Sequence, residues 1–220
     1  MKALILKDIA MLRARLGIIL LMILLIIGSF FVLDAYDIGF VNGYLVIIGA
    51  TLCTSSISYD KSDNGMKYLM SMPINKKIYL NSKYVETLII GLLNGVVATV
   101  FCLIWFNVVY GQINESLMTI NIAATVAMTY VICAIGIPAC LKHKPLKGSY
   151  FVILVILTIF LLISIMVNIF YRLGIDLMFV INTMDIKDAS TFGGTFLVVS
   201  IILLLISYEI SRKILGKMEF

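Results

Sequence analysis

Residues 85–109 read VETLIIGLLNGVVATVFCLIWFNVV, and this stretch decides the kind of fold. A helix needs about 20 mostly apolar residues to cross the hydrocarbon core of a bilayer, and this run exceeds that length. Its one ionisable side chain, Glu86, stands near its beginning. The stretch therefore predicts a helix that spans a membrane.

Five further runs have the same character, and none of them contains Asp, Glu, Lys, Arg or His. They cover residues 16–33, 40–57, 117–141, 149–170 and 192–207. The 220-residue chain is 62% hydrophobic and 13% charged, whereas a soluble domain is about 45–50% apolar and about 25% charged. This composition excludes a soluble domain. We therefore predict an all-α, polytopic membrane protein in which residues 1–220 form one domain with six transmembrane helices.

The basic residues are distributed unevenly over the segments that connect these runs. Fifteen of the 17 Lys and Arg residues lie in the N-terminal segment, in the loops 58–84 and 142–148, and in the C-terminal tail; the other two are Arg172 and Lys187. Short loops rich in Lys and Arg stay in the cytoplasm. We therefore expect a multi-pass protein of the cell (plasma) membrane with both termini cytoplasmic. The net charge of +5 then reflects topology, and we expect no nucleic acid as a partner.

Two segments outside the predicted spans have patterns of their own. In residues 1–15, apolar side chains recur at helical spacing opposite Lys7 and Arg15. This pattern predicts either a helix in the membrane interface or a simple basic flank.

Residues 171–191 form the longest outer loop, which we expect to be extracellular. Its apolar stretch 177–181 is too short to span the membrane and fits a short interfacial or re-entrant helix.

The sequence lacks the groups that catalysis and metal binding usually need. It has no G-x-x-x-x-G-K-[ST] loop for nucleotide phosphates and no H-E-x-x-H motif. Its four cysteines lie in predicted spans and its only histidine, His143, lies in a loop, so we expect cysteines that pack and no metal site. Lys83 with Glu86, and Glu209 with Arg212 or Lys213, have the spacing of ion pairs at helix ends. We therefore expect no catalytic residue and no cofactor in this chain.

The polar side chains inside the predicted spans are amides and hydroxyls, and two spans also carry stripes of small residues. The stripes are Gly91, Gly95, Ala98 and Cys102 in the third span, and Gly49, Cys53 and Ser56 in the second. Small side chains let helices approach closely in lipid, so the stripes predict packing within the chain or, as the alternative, a subunit interface. Our candidates for lining a substrate pathway are Asn94, Asn107 and Asn168.

The loop 59–84 reads YDKSDNGMKYLMSMPINKKIYLNSKY and is far longer than a connection between helices needs. It is basic, yet it contains an apolar cluster around Tyr68. Asp63 or Asn64 can cap a short helix, which Pro73 would end. The apolar side chains of such a helix either dock on a partner protein or lie among the lipid headgroups, and the composition leaves both possibilities open.

The six spans, the predicted cytoplasmic termini and this loop resemble the permease subunit of an ABC-2 type (type V) exporter. Small bacterial members of that family carry an acidic residue, then K-Y-x-x-S-x-P-x-x-[RK]-K, and then S-K-Y before the third span. The matching residues here are Asp60, Lys67, Tyr68, Ser71, Pro73, Lys76, Lys77, Ser82, Lys83 and Tyr84. Among relatives, the chain looks most similar to exporters of phenol-soluble modulins and to bacteriocin-resistance permeases.

This resemblance implies contacts with an ATPase rather than a catalytic centre. It implies that residues 59–84 hold a coupling helix that fits an ABC ATPase subunit, that residues 142–148 make a second contact, and that residues 1–15 form an elbow helix. The ATPase-coupling residues that it implies are Asp60, Lys67, Tyr68, Leu69, Met70, Met72, Pro73, Lys76 and Lys77, with Lys142 and Lys144 at the second contact.

The function that the resemblance implies is that of a permease in an ATP-binding cassette exporter. Such a permease moves an amphipathic or hydrophobic substrate, such as a peptide toxin, an antimicrobial peptide or a lipid-like molecule, out of the cell. ATP and Mg would bind to the separate ATPase, and a second permease chain, identical or related, would complete the pathway. The alternative is a membrane scaffold or sensor subunit that binds partners and transports nothing.

Overall fold

The computed structural model of the protein describes residue 7 and residues 38–62, 65–71, 75–107, 114–143, 145–173, 183 and 185–218. Within those residues it contains helices and no strand. The helices are α1 (Ile38–Lys61), α2 (Gly65–Ser71), α3 (Lys76–Trp105), α4 (Glu115–Lys142), α5 (Pro145–Arg172) and α6 (Ile186–Gly216). The all-α prediction is confirmed over this part of the chain.

Five of these helices are long and apolar enough to cross a membrane, and the sixth, α2, has seven residues. The five long helices coincide with the predicted spans at 40–57, 85–109, 117–141, 149–170 and 192–207. The predicted first span, 16–33, and the predicted interfacial helix, 1–15, lie outside the described residues, apart from Lys7. The described part of the chain therefore has the architecture of a multi-pass membrane protein.

The long helices extend beyond the predicted spans at their polar ends. Helix α3 begins at Lys76, nine residues earlier than predicted, and α6 begins at Ile186, six residues earlier than predicted. Asn75 caps α3, because its side chain accepts a hydrogen bond from the backbone N–H of Lys77 at 3.2 Å. Hydropathy detects only the part of a helix that lies in hydrocarbon, so it misses polar turns at the ends.

Helix α4 lies at the centre of the described bundle, where it contacts α1, α3, α5 and α6. Many of its buried residues are small, and these include Ala123, Ala127, Cys133, Ala134, Gly136, Ala139 and Cys140. Small side chains let neighbouring backbones approach closely, which strengthens van der Waals packing between helices in lipid. The composition of α4 therefore explains why the other helices pack around it.

The small residues on α1 and α3 sit where these helices approach their neighbours most closely. A Cβ atom at Gly91 of α3 would lie 2.1 Å from the ring of Tyr130 in α4. A Cβ atom at Gly49 of α1 would lie 2.0 Å from the side-chain amide of Asn94 in α3. Real Cβ atoms do not approach other atoms so closely, so a larger residue at either position would displace the side chain that faces it. The prediction that the stripes pack within the chain is confirmed at these positions.

The end of α1 is bonded to the end of α4 through one lysine. The ammonium of Lys61 donates hydrogen bonds to the backbone oxygens of Cys140 at 3.1 Å, Leu141 at 2.6 Å and His143 at 2.7 Å. The last carbonyls of a helix lack partners within the helix, and the negative end of its dipole attracts a cation. Lys61 therefore caps α4 and fixes the two helix ends side by side.

Two further contacts bring the termini to the same end of the bundle. Lys76, at the start of α3, donates to the backbone oxygen of Met218 at 2.6 Å. Lys7, in the N-terminal segment, pairs with Asp60 near the end of α1. The segments that the charge pattern assigned to one side of the membrane thus meet at one end. We refer to this end, defined by Lys7, Asp60, Lys61, Lys76, His143 and Met218, as the basic end.

Candidate functional site

The short helix that the sequence predicted in the loop after α1 is present as α2. Met66 is buried in the core, Leu69 is partly buried against it, and Tyr68 is 67% exposed. In the last turn, the hydroxyl of Ser71 donates to the backbone oxygen of Tyr68 at 2.7 Å. Helix α2 therefore has an inner face anchored in the bundle and an outer face that presents an aromatic ring.

Several lysines implied in ATPase coupling are exposed at the basic end. Lys67 lies on α2, Lys77 at the start of α3 and Lys142 at the end of α4. Clustered charges of one sign create a surface potential that attracts a partner of the opposite sign. The coupling residues that lie outside the described residues are Met72, Pro73 and Lys144, and the side chain of Met70 lies outside them too.

Helix α2 begins in direct contact with the end of α1. A Cβ atom at Gly65 would lie 2.9 Å from the backbone oxygen of Asp60, so a larger residue would push the two segments apart. Asp60 itself is only 3% exposed. Because protein interiors are close-packed and transmit strain, a displacement of α2 acts on Asp60.

Asp60 is the centre of a buried set of charges that joins three segments. Its Oδ2 lies 3.0 Å from Nζ of Lys83 in α3 and accepts a hydrogen bond from the hydroxyl of Tyr79 at 3.1 Å. Its Oδ1 pairs with the ammonium of Lys7. Both oxygens of the carboxylate are therefore bonded, and the carboxylate ties α1 to α3 and to the N-terminal segment.

Glu86 extends this set of charges by one turn along α3. Its Oε2 lies 3.6 Å from Nζ of Lys83 and accepts a hydrogen bond from the hydroxyl of Ser56 in α1 at 3.2 Å. The predicted pairs are confirmed, here and at Glu209 with Arg212, which lie 3.6 Å apart on the surface. We refer to Lys7, Asp60, Lys83 and Glu86 as the ion cluster. Removal of one partner from a buried pair costs about 3–5 kcal/mol, because the other charge stays buried.

The sequence did not reveal that Asp60 is buried. Its partner Lys7 is 53 residues away along the chain, and the helix-spacing rules that identified Lys83 with Glu86 do not reach so far. The sequence analysis singled out Asp60 only through the family resemblance, as the acidic residue before the K-Y-x-x-S-x-P motif. The role of Asp60 in coupling stays a prediction, and its burial leads us to expect that it positions α2 rather than touches a partner.

The three amides chosen as pathway candidates occupy two kinds of position. Asn94 is buried and donates to the backbone oxygen of Leu45 at 3.0 Å and to the hydroxyl of Thr129 at 3.2 Å, so it joins α1, α3 and α4. Asn107 and Asn168 are exposed on the outside of the bundle, and each donates to a backbone oxygen of its own helix at 2.8 Å. Asn94 and Asn107 are separated by about 20 Å along α3. The structure therefore does not bring these two together.

A cavity of about 250 Å³ lies between α1, α4 and α5, and the sequence did not predict it. Its walls are mainly apolar, and they include Val46, Met128, Ile132, Ile156, Ile159 and Phe160. Its polar residues include Asn42 and Asn121, and Nδ2 of Asn42 donates to Oδ1 of Asn121 at 3.1 Å. Oδ1 of Asn42 is buried and accepts no hydrogen bond within the described residues. The cavity thus combines an apolar wall with an amide pair.

The fold and these sites define a multi-pass membrane protein in which most of the described basic residues lie at one end of an apolar bundle. Residues 3–215 match the family model described as ABC-2 family transporter protein, so the chain belongs to this family. The family implies a permease of an ABC transporter, which is generally a non-catalytic transmembrane subunit and associates with an ABC ATPase. Comparison with curated proteins and with solved structures gives no match.

Proposed function

We propose that this permease belongs to an exporter that moves an amphipathic or hydrophobic substrate out of the cell. ATP and Mg bind to a separate ATPase at the basic end, which faces the cytoplasm together with both termini of the chain. A second permease chain, identical or related, completes the pathway. The observation that carries the proposal is α2, which exposes Tyr68 while its inner face is anchored in the bundle.

The contacts of α2 supply a route by which ATPase movement reaches the membrane helices. A partner bound to Tyr68 displaces α2 when it moves. Gly65 of α2 packs directly against the backbone of Asp60, so this displacement is transmitted to Asp60. Asp60 is bonded in turn to Lys83 of α3 and to Lys7. Charged hydrogen bonds between buried groups are strong and directional, so α1, α3 and the N-terminal segment move together. The same movement reaches α4 through Lys61.

The substrate class rests on the polarity of the surfaces inside the bundle. The cavity between α1, α4 and α5 offers apolar walls and the amides of Asn42 and Asn121. Ligand pockets combine apolar walls with a few polar groups that fix orientation, and this pattern suits an apolar chain that carries a hydrogen-bond donor. We propose Asn42 and Asn121 as substrate contacts beside the earlier candidates Asn94, Asn107 and Asn168.

The alternative function is a scaffold or sensor that binds partners and transports nothing. A scaffold or sensor would bind an ATPase at α2 in the same way, but the complex would export no substrate. Measurement of substrate export together with ATPase capture therefore separates the two functions.

The test replaces Tyr68 by Ala in the tagged, full-length permease. Interface hot spots are worth about 2 kcal/mol or more, so we expect capture of the ABC ATPase to fall about thirtyfold. Tyr59→Ala is the matched control, because Tyr59 is also an exposed tyrosine near the basic end, with 58% exposure. We expect this control to capture the ATPase like the wild type.

The outcomes distinguish docking from insertion in the headgroups. If Tyr68→Ala inserts and folds normally but loses both the ATPase and export of an amphipathic peptide, the proposal stands. If it captures the ATPase as well as the wild type does, α2 is not the docking site. If wild-type permease and ATPase form a stable complex that exports no amphipathic peptide or lipid, the scaffold function is favoured instead.

A further inference from the structure

A second cavity, of about 260 Å³, lies at the basic end between the start of α3 and the end of α6. Its lining residues are Asn75, Lys76, Lys77, Leu80, Arg212, Leu215 and Gly216. A drug-sized ligand usually needs about 300–1,000 Å³, whereas one water takes up about 30 Å³. The cavity is therefore suited to a small polar group with a few waters rather than to a large substrate.

Among the described residues that line this cavity, the charged side chains are all cations. Lys76, Lys77 and Arg212 line it, and no carboxylate is among its described lining residues. Arg212 pairs with Glu209 at 3.6 Å, but both side chains are about half exposed, and such surface pairs are weak. Lys77, which also lines the cavity, is exposed at the start of α3. The cavity therefore attracts an anion.

The surroundings of the cavity indicate which anion it meets. Leu80 and Leu215, which line it, are fully buried. Ile78 and Ile210, on the same helix ends, are exposed apolar side chains of the kind that contact lipid. The cavity thus lies where the apolar surface of two spanning helices gives way to basic residues, which is the level of the lipid headgroups.

We propose that this cavity binds the phosphate of an anionic phospholipid headgroup from the leaflet at the basic end. Lys77 and Arg212 donate to the phosphate oxygens, and the acyl chains extend along the exposed apolar faces of α3 and α6. Basic pockets between transmembrane helices are known to hold such headgroups. This partner for Lys76 and Lys77 differs from the ATPase that the family resemblance implies, and the site does not depend on the proposed export function.

The test compares two double variants that each remove two positive charges from the basic end. Lys77→Ala with Arg212→Ala removes two cations that line the cavity, while Lys213→Ala with Lys217→Ala removes two nearby cations that do not line it. The full-length permease is purified with phosphatidylglycerol or with phosphatidylcholine of the same acyl chains, and retained lipid is counted by native mass spectrometry. Hydrogen bonds to charged groups are stronger than those between neutral groups, so we expect the affinity for phosphatidylglycerol to fall by at least about tenfold in the first variant.

The control variant should retain phosphatidylglycerol within about twofold of the wild type, and Lys77→Arg with Arg212→Lys should restore binding. Equal losses in both alanine variants would show diffuse attraction and would overturn the site. Binding of inorganic phosphate alone, with no preference between the two lipids, would exclude a lipid as the ligand. Unchanged lipid retention with loss of ATPase capture in the first variant would assign the cavity to the ATPase instead.

Discussion

Helices α4 and α5 have the same length, 28 residues, but they occupy opposite kinds of position. In its most apolar stretch, 56% of α4 is buried inside the protein, against 12% of α5. Yet α5 is the more hydrophobic of the two. The comparison shows that hydropathy predicts which segment enters the membrane and does not predict which segment lies at the centre of the bundle.

The difference follows from what drives helices together in lipid. Large aliphatic side chains gain nothing by leaving lipid tails, which are as apolar as the interior of the protein. Leu157 and Leu162 of α5 are accordingly exposed, whereas Ala127 and Cys133 of α4 are completely buried. Small side chains, close backbones and a few hydrogen bonds decide the inner positions, and many of the buried residues of α4 are small.

The largest expected effect comes from Gly91→Leu, which places a side chain between α3 and α4. A Cβ atom there would already lie 2.1 Å from the ring of Tyr130, so we expect a loss of at least about 3 kcal/mol in the free energy of unfolding, at the upper end of overpacking costs. The measurement is unfolding by SDS in mixed micelles. Gly194→Leu in α6, where nothing lies within 4 Å, is the control and should unfold like the wild type. Equal losses of unfolding free energy in the two variants would mean that α3 and α4 are not closely packed at Gly91.

A smaller effect is expected when α4 loses a hydrogen bond. Thr129→Val removes the hydroxyl that accepts from Asn94 at 3.2 Å, and hydrogen bonds between transmembrane helices average about 0.6 kcal/mol and reach about 1.7. We expect a loss of about 1 kcal/mol in the same assay. Thr158→Val in α5 is the matched control, because its hydroxyl donates to the backbone oxygen of Val155 in its own helix. If Thr158→Val lost more unfolding free energy than Thr129→Val, hydrogen bonds on α5 would matter more to the bundle than those on α4, contrary to our expectation.

The smallest effect is expected for Leu162→Ala in α5. Leu162 is 63% exposed, and substitutions at such positions change the free energy of unfolding by about 0.5 kcal/mol or less. Unfolding of the monomer and association of two permease chains in nanodiscs are measured side by side. Unchanged values for both mean that this face of α5 contacts lipid. A loss of association alone would show that α5 forms an interface between permease chains. Leu162 would then be exposed in the single chain and buried in the dimer.

The spans could be predicted because a membrane helix depends on a local property, the length of an apolar run. The helix ends were predicted less well, since turns such as Lys76–Tyr84 are polar and become buried only against other helices. The short helix α2 was predicted from cap and proline signals in its own loop. The burial of Asp60 and the pairing of Asn42 with Asn121, which are 79 residues apart, could not be predicted, because they depend on contacts distant in sequence.

The ion cluster has a consequence for how the protein responds to membrane voltage. It holds two carboxylates and two ammonium groups, so its formal charges cancel. Movement of one elementary charge through 100 mV involves about 2.3 kcal/mol of electrical work, whereas movement of a neutral group involves none. When α1 and α3 move, the cluster itself therefore carries no net charge through the membrane potential. We expect any voltage dependence of transport to come from charges outside the cluster, such as Lys61, Lys76 and Lys77, or from the charge of the substrate.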